Sequence, residues 1–321
     1  MEAAAEPVTA IAVENALRDE LAQGDAMLAT TTPILRQLAG NGGNSMFGDD
    51  ILASVRGMAG DLARQMLDAL AQADGSAERA EHEPAALTSL TGAFMDNSAL
   101  LSHLHALALE WQLTCRLQAR LSLDPVLTPL LQTLIASNEP EIAALAMQLL
   151  AAQARFGQSQ RRMQLPLVEL PGDLLHTVVL ALRAHAGEDP EADRRATVAE
   201  TKIRTRFDES ASRLGLTAKL LNGMGAGAVA ALSVTHGGVA MFLTALGLAS
   251  GQSRDLTVLT TGESQVARLA LALLAAGLKP QSVEKEFFSL HPDVALPSGF
   301  ERIGADSAAA ILALAGSPVA A

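Results

Sequence analysis

The sequence predicts an all-α fold: a superhelix of HEAT-like αα-hairpins preceded by a small N-terminal helical module. Three observations carry this expectation. The chain is 49% apolar, but the apolar residues are mainly Ala and Leu, with eight Phe, one Trp and no Tyr, so strand-favouring types are scarce. Apolar residues recur at three- and four-residue spacings. Prolines sit where helices would begin, and Pro125 and Pro171, each near the start of a helix pair, are 46 residues apart, within the period of HEAT and armadillo repeats.

Taken in order, "AVENALRDEL" and "PILRQL" read as two short helices, followed by the loop "GNGGNS" at 40–45. Residues 49–70 place Ile51, Val55, Met58, Leu62 and Met66 on one stripe, with Asp49 and Asp50 suited to the positive end of the helix dipole. A polar stretch, "ADGSAERAEHEP", then divides an N-terminal module, 1–97, from a repeat domain, 98–321. The module is a candidate for dimerisation through its amphipathic helices, 49–70 above all.

From Ser98 the pattern is denser. Leu100, Leu104, Leu107, Trp111 and Cys115 form one stripe, which makes the single cysteine a buried small hydrophobe. Helices follow from Asp124 and Asn138, then a pair after "QLPLVELPGD". The segment 139–153 matches 263–277 at eight of fifteen positions. Their offset of 124 is three repeats of about 41 residues, giving about four hairpins in all.

The run "MFLTALGLASGQSRDLTVLTTGESQVARLALALLAAGL", followed by "EKEFFSLHP", resembles the bacterial family known as domain of unknown function 2336. A helix, a short Ser-Arg-Asp-Leu step and a second Ala/Leu-rich helix carry the resemblance, which covers roughly residues 98–290. It implies a helical-repeat fold with no assigned chemistry, and no catalytic residue carries over.

Charge narrows the function further. Of the formal net charge of −12, residues 1–97 contribute fifteen acids against five arginines. Such a field repels phosphate backbones, and stacking aromatics are few, which argues against nucleic acid. The N-terminal residues carry no basic, apolar signal pattern, so a cytoplasmic setting is expected.

The stretch 223–251, "GMGAGAVAALSVTHGGVAMFLTALGLASG", holds seven glycines and no formal charge. No strand precedes its glycines, so a dinucleotide loop is not expected. His236-Gly237-Gly238 divides it into halves too short for a bilayer, so no membrane span is expected either. It reads as a buried helical hairpin, with an apolar cavity at His236 and Phe242 as the alternative.

No catalytic motif, metal-ligand spacing or cofactor fingerprint is visible. His103 and His105, two apart on a helix, point to different sides. The remaining candidates are Arg155, Arg161, Arg162, Arg194 and Arg195, on successive second helices, where they would line a groove for an acidic peptide or another protein. The expected function is a non-catalytic interaction or scaffolding module, with small-molecule or lipid binding around 223–251 as the runner-up.

Overall fold

The computed structural model describes residues 10–41, 49–73, 82–187 and 190–315. The expected loops lie in part outside these, at 42–45 and 74–81. The described residues form fourteen α-helices and no strand. In order they are α1 (Ala10–Asn41), α2 (Asp49–Ala73), α3 (Pro84–Asp96), α4 (Ser98–Leu121), α5 (Pro129–Ile135), α6 (Pro140–Arg161) and α7 (Gly172–Ala186). After them come α8 (Pro190–Arg206), α9 (Arg213–Met224), α10 (Val234–Ser250), α11 (Arg254–Leu259), α12 (Val266–Ala275), α13 (Pro280–Leu290) and α14 (Ala305–Ala315). No helix among the described residues is long and apolar enough to cross a membrane.

Local sequence sets most helix starts. Asn97, Thr128, Ser212 and Ser253 each accept a backbone N–H of the first turn of α4, α5, α9 and α11. Pro84, Pro129, Pro140 and Pro280 occupy first-turn positions, where the missing N–H costs nothing. Pro125 does not: it lies in the loop before α5, whose turn is held by Asp124 Oδ1 accepting the Val126 and Leu127 amides. Helices α5, α7, α9 and α11 begin at Pro129, Gly172, Arg213 and Arg254, 43, 41 and 41 residues apart.

α1 differs from expectation. The two short helices are one helix of 32 residues with Pro33 inside it. Proline removes one intrahelical bond at a cost of about 3 kcal/mol. Leu28 and Leu35, buried on either side of it, offset that cost by docking both parts of the helix on the body.

Two hydrophobic cores share α4 and α1. The first gathers Val13, Leu17 and Leu21 with Leu113, Leu117, Leu149, Phe242, Leu271 and Phe287. The second gathers Leu35 and the α2 stripe with Phe94, Leu104, Phe156 and Val178. Segments on either side of residue 97 therefore contribute to both cores. The α2 stripe of Ile51, Val55, Met58, Leu62 and Met66 is buried as the spacing requires, and its cover is intramolecular: α3, α4, α7 and α8.

α2 also grips the loop before α7. Asp61 Oδ2 accepts the Leu165 amide at 3.2 Å, and Gln65 spans the Leu165 carbonyl and the Leu167 amide at 2.8 and 3.1 Å. Gly57, one turn earlier, leaves room for Met163; a Cβ there would lie 2.4 Å from the Met163 Cβ. Three positions four residues apart on one helix thus seat a loop about a hundred residues away.

The packing order is not the chain order. α6 lies on α9 and α5 on α10, while α7 and α8 turn to α2 and α3. α4 packs on α1, α2, α3, α6, α7, α10 and α11, and every residue from 100 to 110 is buried except Leu109, which is partly buried. Past that point only one face is covered. Cys115 falls on the other face, so the thiol expected inside is exposed.

Candidate functional site

Because α4 is enclosed, its polar residues must find partners inside the protein. Glu110 is 1% exposed and receives two guanidinium groups. Arg213, at the start of α9 and equally buried, donates Nη1 and Nη2 to Oε1 and Oε2 at 2.7 and 3.0 Å. Arg254, at the start of α11, brings Nη2 to 2.8 Å from Oε1. The adjacent Asp255 takes His103 Nδ1 at 2.8 Å, seven residues up α4 from Glu110 and so on the same face.

Electrostatics makes this a fixed assembly. Burial alone would raise the Glu110 carboxyl, but the two guanidinium groups hold it down at about 2. Burial conversely lowers Arg254, and Glu110 works against that. Arg213 stacks over the Phe156 ring, 3.7 Å from its centroid, and Phe156 meets Trp111 edge-on at 6.4 Å. Arg161 covers the outer face of Trp111 at 5.8 Å, so an aromatic pair links this surface arginine to the buried one. Arg213 Nε, Arg254 Nη1 and His103 Nε2 have no hydrogen-bond partner among the described residues.

Each residue of the Ser253-Arg254-Asp255-Leu256 step has a separate task. Ser253 caps α11, Arg254 reaches Glu110, Asp255 holds His103, and Leu256 enters the core. The step is visible in the sequence, but its partners are not. The one available signal is Glu110, a lone acid inside an apolar helix. Beside Arg254 opens a cleft of ≈ 280 Å³ edged by Glu169, Glu209, Ser212, Thr244 and Gln252.

The sequence-chosen arginines divide into two groups. Arg155 and Arg161 are exposed on α6 with Arg162 at its C-cap, whereas Arg194 and Arg195 lie on α8. α6 packs on α4, α5 and α9, but α8 packs on α2 and α7. Arg194 pairs with Glu191 on its own helix, and Arg195 also acts on that carboxylate.

The stretch 223–251 also differs from expectation. Its break is present: Gly238, at φ 73° and ψ 170°, kinks α10. Its first half is not a buried helix, however. Residues 225–232 form a 3-10 helix in which Gly225, Ala226, Gly227 and Val229 are exposed. Phe242 is fully buried in the first core, and His236 is half-buried at the kink.

Besides the cleft at Arg254, two further hollows border this stretch, and none of the three is lined by His236 or Phe242. The one against Gly237 and Gly238 has ≈ 30 Å³ of free space, room for a water molecule or two. The other is an open hollow of ≈ 300 Å³ lined by residues including Leu221, Val229, Leu232, Ala245 and Leu248, without a charged group. Among the described residues no cluster of three or more His, Cys, Asp or Glu is placed to hold a metal ion. Compared with protein-family models, curated proteins and solved structures, the chain matches none.

Proposed function

We propose that the protein is a bacterial, cytoplasmic, non-catalytic helical scaffold that docks a partner protein at the apolar hollow beside the 3-10 helix. One observation carries the reading. From this charge-free depression Val229 and Leu248 project at 66% and 55% exposure. Large apolar side chains clustered at the edge of an apolar depression are what a partner's buried anchor requires.

Other features support the same reading. The starts of α5, α7, α9 and α11, spaced by 41–43 residues, support a HEAT-like repeat, whose stacked pairs present extended surfaces. The Ser253–Leu256 step supports kinship with domain of unknown function 2336. Arg155, Arg161 and Arg162 form the second contact, for acidic residues of the partner; Arg194 and Arg195 contribute less, being engaged with Glu191.

The test compares full-length wild type with Val229→Glu/Leu248→Glu and with Arg155→Glu/Arg161→Glu/Arg162→Glu by quantitative affinity capture from native cells. The expected result is a defined partner set reduced more than about tenfold by the apolar pair, a loss of roughly 1.4 kcal/mol or more, with unchanged melting. A partner set that survives both variants overturns the reading. A small molecule retained in native mass spectrometry, and lost from the apolar variant, would assign the hollow to a small-molecule or lipid ligand instead.

A further inference from the structure

α1 is attached to the body by an unusually narrow seam. Leu21, Leu28 and Leu35 are buried one heptad apart; Leu17 and Gly24 are buried, and Thr31 half-buried, at the intervening heptad positions. This is the two-per-heptad stripe of a coiled-coil helix, not the wider face of a core helix. Nearly every other described side chain between Asn15 and Gln37 is exposed.

The body meets this seam with a polar half-site. Arg268 on α12 is 1% exposed, and the carboxylate that neutralises it is Asp25 of α1, reached through Nε at 3.2 Å and through Nη2. Gln265 donates to the Gly24 carbonyl at 2.7 Å, and a Cβ at residue 24 would crowd Gln265 and the Ser264 carbonyl at 3.0 Å. Leu28 completes the register against Leu256 and Leu259. The groove therefore selects one kind of occupant: an amphipathic helix with leucines a heptad apart and a Gly-Asp pair between them.

Every copy of the chain carries that helix. α1 is the first of the described helices, and the seven residues 42–48, "GGNSMFG", join it in sequence to α2. A groove filled by a second copy's α1 makes the same bonds as one filled by its own, which is the low-cost route to a dimer. The outer face of α1 supplies a separate indication. Met27 and Ile34, also one heptad apart and in the half nearest the 42–48 connection, are 57% and 37% exposed. A reciprocal pair offers these two outward apolar side chains a counterpart to pack against.

We infer that α1 is an exchangeable arm, and that its groove accepts the α1 of a second copy to form a reciprocal dimer. Two full-length variants test this: Asp25→Arg, whose arm no longer fits its own groove, and Arg268→Asp, whose groove no longer fits its own arm. Arms and grooves of the mixture match only across chains. Asp25→Arg/Arg268→Asp in one chain restores the match internally and serves as the folding control.

The expected result, by native mass spectrometry after mixing or co-expression, is a 1:1 complex at twice the 33.3 kDa chain mass. It should exceed either homodimer by more than about tenfold, because mispaired buried charge is heavily penalised. Single variants that fail to fold alone but become soluble as that complex on co-expression would give the same support. Met27→Lys/Ile34→Lys in both chains should reduce the complex while leaving the control's melting unchanged. Exchange is overturned if the double variant folds like wild type while the mixture, or the co-expressed pair, yields no mixed dimer.

Discussion

The Glu110 carboxylate and the Arg213 guanidinium meet as a two-bond pair, both side chains 1% exposed, 103 residues apart in the chain. With Arg254 on the same carboxylate, one acid ties α4 to the first turns of α9 and α11.

Glu110→Gln leaves two buried guanidinium groups without their carboxylate. Loss of one partner from a buried ion pair costs about 3–5 kcal/mol, whereas exchanging the whole set for apolar residues of similar volume is often neutral or stabilising. Urea denaturation should therefore show a large loss for Glu110→Gln and a much smaller one for Glu110→Met/Arg213→Met/Arg254→Met. Equal losses in the two variants would mean that packing, and not charge, sets the cost.

His105, buried in the middle of α4, gives stability a pH dependence of known sign. Burial lowers it from 6.5 to about 4. Between those values the unfolded chain binds a proton that the folded chain refuses, so stability falls as pH falls, by about 3 kcal/mol in all. His291, also lowered chiefly by burial, adds to the same trend. Depressed Glu110 contributes stability that is complete above its unfolded value near 4.3 and lost as pH falls toward about 2, so its effect begins where that of His105 ends. Melting curves from pH 7 to 4 should steepen for wild type relative to His105→Leu. Parallel curves would show that His105 is protonated inside the fold.

Gly238 stands where two constraints coincide. Its φ of 73° with ψ of 170° is a region reserved for glycine, and a Cβ there would sit 2.3 Å from Thr128 Cγ2. Gly238→Ala should cost about 2 kcal/mol or more by thermal denaturation. Thr128→Ser removes the Cγ2 and keeps the hydroxyl that caps α5, so it should recover only the steric part. Full recovery in the double variant would show that the backbone conformation is not strained.

Several local features are legible in the sequence. The α2 stripe, the start of α6 at Pro140, and the kink at His236-Gly237-Gly238 depend on spacing, proline and glycine, which act within a few residues. The site is less legible. Arg161 reads from the sequence as a surface cation but not as the outer member of a stack leading through Trp111 and Phe156 to Arg213. Spacing places His103 and His105 on different sides of their helix, but it cannot supply Asp255, the partner of His103 from 152 residues away.

By itself the sequence determined that this chain is helical, where several of its helices begin, and that its glycine-rich stretch is broken near Gly238. Hydrophobic period, capping side chains and backbone freedom are properties of neighbouring residues. Only the tertiary structure decided that Cys115 faces outward, that Gly225, Ala226, Gly227 and Val229 lie at the surface, that Pro33 sits inside one long helix, and that Glu110 has two arginines. Each of those depends on what covers a given face of a helix, and the covering residues come from elements tens to hundreds of positions away.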